Sequence, residues 1–431
     1  MYYFQRMRRK SMRILAFVLI IGLISGLTIG CSNNTNVNKN NSQTQSSVSK
    51  EGLYKLTEND VIQMFKPGVY GIYQDKTMKD AVKAVGPDAV QLTEEEKQKI
   101  RQMNLKVIVE TNHVDDAWKW QLGGLEEVAK DLNIKIDKVW IAPDTSSLAQ
   151  LEDYQKIERI AQNYDGFFTL PMDAAASSDI LKRIMEKTTL VTLCSAPLGI
   201  DWNHPNWGGV VDADGYLAGV YSAEAAIKIL NGQGALGVVG FVGGREGVFH
   251  TVQERYRGWN DVFKEHQDVK IYQEWFDDPS KAGDVVASML AAHPDIKVLL
   301  IDWANPPANQ AVTVFQQRGL KPWKDIAMVT IDLDNTIVVP MAQTGPDNNY
   351  TAAFVTQTWY NVGRLWGLLF AKHVLYGNEA PKYVVSPPLP ITTWNNLKTH
   401  YIKAVPETYP IPQEVMALTN QWPLGVEDQW K

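Results

Sequence analysis

"HPDIKVLLIDW", residues 293–303, is an almost unbroken apolar run that stops on a carboxylate and an indole. A strand with one wet face alternates apolar and polar residues, whereas a run like this one requires cover on both faces. Seven more stretches read the same way: "LKVIVET" (105–111), "KVWIA" (138–142), "GFFTL" (166–170), "LVTLC" (190–194), "LGVVGFV" (236–242), "VKIYQEW" (269–275) and "IAMVTID" (326–332). Amphipathic segments at 120–133, 214–232 and 252–266 separate them. Strands alternating with helices imply parallel sheets with helices on both faces. The pattern restarts after about 130 residues, so the expected fold class is α/β with two doubly wound sheets. Ligands of such sheets sit at the carboxyl ends of the strands. That rule directs attention to the residues just after each run.

The strand ends are rich in polar and aromatic groups. Asn112, Asp116, Trp118 and Trp120 follow the first strand, Asp173 the third and Ser195 the fourth. Asp302 and Trp303 close the opening stretch, Asp332 and Asp334 close "VTIDLDN", and Gln357 lies in "FVTQTW". Each has a bland reading as well, since Asp at a strand end often caps a helix and Trp often fills a core. Their recurrence at several strand ends is the stronger signal. Aromatic walls with a few placed carboxylates, an amide and an Arg describe a site for a polyol, because charged partners strengthen hydrogen bonds to hydroxyls.

Other chemistry finds little support. No HExxH, GxSxG or GxxxxGK[ST] occurs, so no enzyme, metal or cofactor is expected. "GQGALG" (232–237) fits GxGxxG but closes a helix and precedes a strand, the reverse of a dinucleotide fingerprint. Gly232 and Gly234 therefore read as a helix stop and turn. "LTEEEKQKIRQMN" opens a helix with a capping box at Thr93 and Glu96.

The amino-terminal end sets the compartment. Arg6, Arg8, Arg9, Lys10 and Arg13 precede an uncharged run from Ile14 to Gly30, the pattern of a secretory signal peptide. An uncleaved anchor is the alternative, at the lower limit of spanning length. "LTIGC" resembles the lipobox of bacterial lipoproteins, with Leu27 one place early, and implies lipidation of Cys31. Residues 32–50 carry almost no apolar side chains and read as a disordered tether. Losing five cations takes the net charge from −6 to about −11, which argues against nucleic acid and anionic lipid as partners. Only Cys194 remains besides Cys31, so no internal disulfide is expected.

"LTEEEKQKIRQMNLKVIVE", "RYRGW", "HPDIKVLLIDW", "VTIDLDN" and "VTQTWYNVG", in this order, resemble the type I periplasmic sugar-binding proteins of the ribose- and galactose-binding class. The resemblance spans roughly residues 90 to 396. It implies two Rossmann-like lobes joined by a three-segment hinge, a single sugar or polyol gripped between them, and delivery to an ABC permease by a monomer. It implies that Trp118 stacks on the sugar, that Arg255 binds its oxygens, that Asp332 accepts from hydroxyls and that Gln357 contributes at a crossing. Departures are Cys194-Ser195 where ribose binders carry Asp-Arg, Trp303 where they carry Asn, and Trp275 near another stacking aromatic. LacI-type repressors share the lobes but carry a DNA-binding domain where this chain has its leader.

The expected division is leader 1–30, tether 31–50, extension 51–104, first lobe 105–213 with 358–386, and second lobe 214–357 with 387–431. A sensory role, presenting a sugar or autoinducer-2 to a receptor kinase, is the alternative to transport.

Overall fold

The computed structural model describes residues 52–111, 116–142, 147–247 and 249–423. Cys31, the leader, the tether and Asn112 lie outside the described residues.

Two six-stranded sheets organise the chain. The first runs, in spatial order, Tyr383–Ser386, Trp207–Ala213, Thr189–Leu193, Gly166–Thr169, Lys106–Thr111 and Lys135–Ile141, all parallel. The second runs Ile391–Thr392, Thr351–Val355, Ala327–Ile331, Ile296–Ile301, Ala235–Phe241 and Ile271–Phe276. Only its Ile391–Thr392 edge is antiparallel. All eight strands expected from sequence are present. Of the twelve strands in these two sheets four were missed, for identifiable reasons. "WGGVVDA" has two glycines interrupting its apolar run, "TAAFV" has alanines of low strand preference, and Tyr383–Ser386 and Ile391–Thr392 are short.

The two sheets share one strand order, so the lobes are topological copies. The chain passes between them after Ala213, after Val355 and after Ser386. The first passage caps a helix: Asp214 accepts from the Leu217 N–H, and the Gly215–Leu230 helix follows. The expected helix at 120–133 begins earlier, at Asp116. The capping box at Thr93 and Glu96 is reciprocal, with bonds of 2.6 and 3.3 Å. Gly232 and Gly234 both take positive φ, at 74° and 64°, as a helix stop and turn require.

In each lobe, the helix delivered by a crossing packs backbone to backbone against the helix that carries Trp118 or Arg255. In the first lobe, a Cβ on Gly363 would lie 1.9 Å from the Gln121 carbonyl oxygen, and one on Gly124 would lie 2.0 Å from that of Tyr360. In the second, a Cβ on Gly219 would lie 2.1 Å from the Arg255 carbonyl oxygen, and one on Gly258 would lie 2.3 Å from that of Tyr216. Glycine is the residue that permits such an approach. These contacts fix the helices that carry Trp118 and Arg255.

The extension at 52–104 touches both lobes. Lys228 of the Gly215–Leu230 helix pairs with Asp60, and the Tyr54 N–H donates to the Ile229 carbonyl. Further on, the Tyr70 N–H donates to Asp214 at the first crossing, 2.7 Å away. Tyr73 then stacks on His250 of the second lobe at 3.9 Å, while its hydroxyl meets the backbone of Ala196 in the first. Val85 joins the first sheet beside Val384.

Gly219→Ala should lower stability by about 1–3 kcal/mol, the usual cost of overpacking. Urea unfolding would show this as a reduced midpoint at unchanged slope; an unaltered midpoint would mean that the helices separate without cost.

Candidate functional site

A cavity of about 230 Å³ lies between the lobes, at the carboxyl ends of both sheets. The first lobe supplies Trp118, Gln121, Leu170, Met172 and Cys194. The second supplies Phe249, Thr251, Arg255, Trp303, Pro306 and Asp332, and Trp359 enters just after a crossing. Its size suits one small guest rather than a polymer.

Backbone conformation marks the wall. Among the described residues, eight non-glycine residues have positive φ. Four are asparagines, which tolerate that region well. Of the remaining four, Cys194 (62°), Trp303 (63°) and Asp332 (82°) all line the cavity. Cys194 and Asp332 each follow the fourth strand in chain order of their lobe, so the same backbone kink occurs in both copies. Strain of this kind costs on the order of 1–3 kcal/mol and persists where surroundings enforce it.

The aromatic walls are held by other rings. Trp118, 2% exposed, meets Trp366 edge-on at 6.5 Å. Trp303 packs against Phe241 at 5.1 Å and Phe276 at 5.9 Å. Offset and edge-on contacts of this kind are the favoured ones between rings, and they leave indole surface to the cavity. The Trp359 indole N–H donates to Asp332 Oδ1 at 3.0 Å, which aims that carboxylate.

Arg255 is buried and paired through Nη1 with Asp302, which also accepts from the Tyr256 hydroxyl at 2.6 Å. Burial would push the guanidinium down; Asp302 and Asp332 more than offset this and hold it above its ordinary value. The lobes also bond to one another directly. Thr251 donates to the Asp212 carboxyl at 2.7 Å, and the His250 N–H donates to Ser195 Oγ at 2.9 Å. Burial drives Asp212 well above the usual carboxylate range. It also drives the His250 imidazole down to about 3, so the ring is neutral where Tyr73 covers it.

Of the residues expected from sequence, the structure brings Trp118, Arg255, Trp303, Asp332 and Asp334 to one cavity, Asp334 also capping the helix that starts at Asn335. The others fall elsewhere. Asp302 stands behind Arg255 as its counter-ion. Ser195 is spent on the His250 N–H, and Asp173 accepts from the N–H groups of Ala175 and Ala176. Asp116 pairs with Lys119 and accepts from the Asn335 N–H across the lobes at 3.4 Å. Trp120 points to Tyr401, because two positions along a helix turn a side chain away from Trp118. Trp275 packs on Tyr256 under the Arg245 guanidinium. Gln357 is buried at a crossing with both amide atoms unpartnered, off the cavity wall.

Sequence reasoning missed Gln121, Phe249, Thr251 and Trp359. Gln121 was within reach, since it lies three residues after Trp118 and shares its helix face. Trp359 stands two residues after Gln357 in "VTQTWYNVG".

Among the described residues no cluster of His, Cys, Asp or Glu could hold a metal ion, and no helix is long and apolar enough to cross a membrane.

Two lobes of one strand order closing on a cavity at their carboxyl ends define a binding protein of the two-lobed α/β class. The periplasmic binding protein domain family matches residues 107–379, and the chain belongs to that family. It is a binding protein, not an enzyme. Among curated proteins none matches the sequence. Similar solved structures include a glucose-galactose binding protein from Geobacillus stearothermophilus, at 18% identity and a TM-score of 0.57, covering 67% of this chain and 98% of that one. An arabinose binding protein from the same organism is 19% identical, with a TM-score of 0.55 and coverage of 69% and 99%. A solute-binding protein from Agrobacterium vitis, bound with α-D-tagatopyranose, is 18% identical with a TM-score of 0.58, covering 68% and 96%. These likenesses establish the fold, with two lobes built on parallel sheets.

One group beneath the wall gives a pH test. Glu110 is buried with Thr169 and Gln150, and Gln150 also bonds the backbone of the wall residues Leu170 and Met172. Burial pushes the Glu110 carboxyl up to about 8. The native state therefore holds its proton more tightly than the unfolded chain, and stability falls as pH rises from about 4.5 to about 8. Glu110→Gln should flatten that slope by up to a few kcal/mol across the window. Urea midpoints at pH 5 and pH 8 measure it; equal slopes in both proteins would show that Glu110 does not carry the effect.

Proposed function

We propose that this protein captures a monosaccharide or related polyol outside the cytoplasm, on a lipid tether at Cys31, and delivers it to an ABC permease. One observation carries the reading: indoles from both lobes, the Arg255 guanidinium and the Asp332 carboxylate converge on one cavity sized for a small guest. Indole faces complement the apolar C–H face of a sugar ring, and Asp332 and Arg255 suit its hydroxyls. Family membership supports the reading. So do the solved relatives, whose own ligands or transport roles are sugars. Ligand bridging both lobes would stabilise the closed arrangement by contacts that the open one lacks. Trp118 and Gln121 act from the first lobe, Arg255 and Asp332 from the second.

Mass spectrometry of small molecules released from purified protein, followed by calorimetry, tests the reading. Asp332→Ala should weaken the identified ligand by about 1.5–3 kcal/mol, the usual worth of hydrogen bonds to a charged group. Unchanged affinity would remove Asp332 from the site. Recovery and binding of only non-hydroxylated molecules would overturn the sugar assignment altogether.

The tether has a separate test. Cys31→Ser should shift the protein from the detergent phase to the aqueous phase on Triton X-114 partition. A wild-type protein already in the aqueous phase would rule out the lipid.

A further inference from the structure

The family match ends at residue 379, and past the last strand, Ile391–Thr392, the chain continues as an arm of the second lobe. The arm opens with the Leu397–Ala404 helix, tied back to that strand by a bond of 2.7 Å between His400 Nδ1 and Thr392 Oγ1. It closes with the Gln413–Met416 helix, whose Glu414 accepts from Gln343 on the second lobe's Asn335–Thr344 helix at 3.2 Å. Both ends are thus fixed to the second lobe. Between them, two tyrosines reach the first. Tyr401 is 1% exposed; its ring meets Trp120 of the Asp116–Asp131 helix edge-on at 6.3 Å, and its hydroxyl donates to Asn335 Oδ1 at 3.0 Å. It therefore bridges two helices, one from each lobe, whose amino ends adjoin the cavity. Tyr409 seats in a notch on the same first-lobe helix. A Cβ on Gly123 would lie 1.7 Å from the Tyr409 hydroxyl oxygen, so the notch exists because residue 123 is glycine. Tyr360 of the first lobe flanks the ring at 6.0 Å. Pro406, Pro410 and Pro412 bracket Tyr409 and restrict φ around it, so the loop loses little freedom on docking.

We infer that residues 397–416 form a clasp that fastens the second lobe to the first, with Tyr401 and Tyr409 as its two fastenings, and that the clasp sets how readily the guest-free protein opens. This rests on the closing of the two lobes in the reading above, not on the identity of the guest. In the arrangement described, the wall residues Trp118 and Arg255 are 2% and 1% exposed, so the lobes are shut on the cavity. Contacts made in the shut arrangement and lost in the open one stabilise the former by their own free energy. The shut fraction then rises before any guest arrives. Apparent affinity rises with it, because a guest that binds one arrangement is weakened in proportion to the scarcity of that arrangement.

Hydrogen exchange read by mass spectrometry on the full chain, with no guest added, tests the clasp. The His250 N–H is bonded across the lobes to Ser195 at 2.9 Å by elements outside the arm. It exchanges when the lobes part, so its rate follows the open fraction. Gly123→Ala puts a methyl where the Tyr409 hydroxyl sits, and the three atoms nearest that methyl all belong to Tyr409. Alanine also suits a helix better than glycine, so the helix itself is not harmed. The variant should speed exchange at His250 about two- to tenfold, the change expected on losing one contact of hydrogen-bond strength. Exchange in the buried Ile296–Ile301 strand should stay as it was. Tyr401→Phe, which keeps the ring on Trp120 and loses the bond to Asn335, should act in the same way. In a Tyr409→Ala background, Gly123→Ala should add nothing, because the methyl then has nothing to displace. Unchanged exchange at His250 in both single variants would overturn the clasp. So would an equal rise in the Ile296–Ile301 strand, which would trace the effect to the whole fold, or a full effect of Gly123→Ala without Tyr409. None of these outcomes bears on the sugar reading, which calorimetry decides separately.

Discussion

Arg255 and Asp302 place opposite charges where water does not reach, and the geometry of the cavity follows from that pair. Removing either partner would strand a buried charge, at about 3–5 kcal/mol. Replacing both by well-packed apolar groups is often neutral, so stability alone does not account for the pair. What it achieves is placement. Asp302 ends the strand that opens the second lobe's side of the cavity, Arg255 rides the His250–Glu265 helix, and Tyr256 ties the same carboxylate from the next position. Strand, helix and cavity wall are thereby held in one relation.

The two lobes solve the same packing problem twice. Each packs the helix that follows a crossing onto the helix bearing Trp118 or Arg255, each makes that contact through glycine, and each kinks its backbone after the fourth strand. The copies then diverge in what the kink presents. In the first lobe it is the thiol of Cys194, which burial and Asp212 hold well above the usual thiol range. In the second it is the carboxylate of Asp332. At this one equivalent position the first lobe presents a neutral thiol and the second a carboxylate.

Much of this was legible in the sequence. Continuous apolar runs such as 296–301 disclosed buried parallel strands, and the restart of the pattern disclosed two lobes. Where glycine or alanine diluted the run, as in Trp207–Ala213 and Thr351–Val355, a strand buried on both faces left no periodic trace. The site was legible in outline, because strand ends are where ligands gather. It was not legible in orientation. Asp302 and Trp303 are neighbours, yet one turns inward to neutralise Arg255 and the other faces the cavity, a choice made by a positive φ and by a charge 47 positions away. Trp118 and Trp120 diverge for a simpler reason, the pitch of a helix.

Residues 54–85 add something that the three crossings do not. They start on the second lobe, bond to Asp214 at the first crossing and finish on the first lobe's sheet, with Tyr73 lodged between His250 on one side and Ala196 on the other. The chain therefore joins its halves by four strands of polypeptide, and the fourth carries an aromatic wedge. Rocking of the halves has to drag that wedge along or slide past it, so the stiffness of the clamp is written partly in the extension and not only in the crossings.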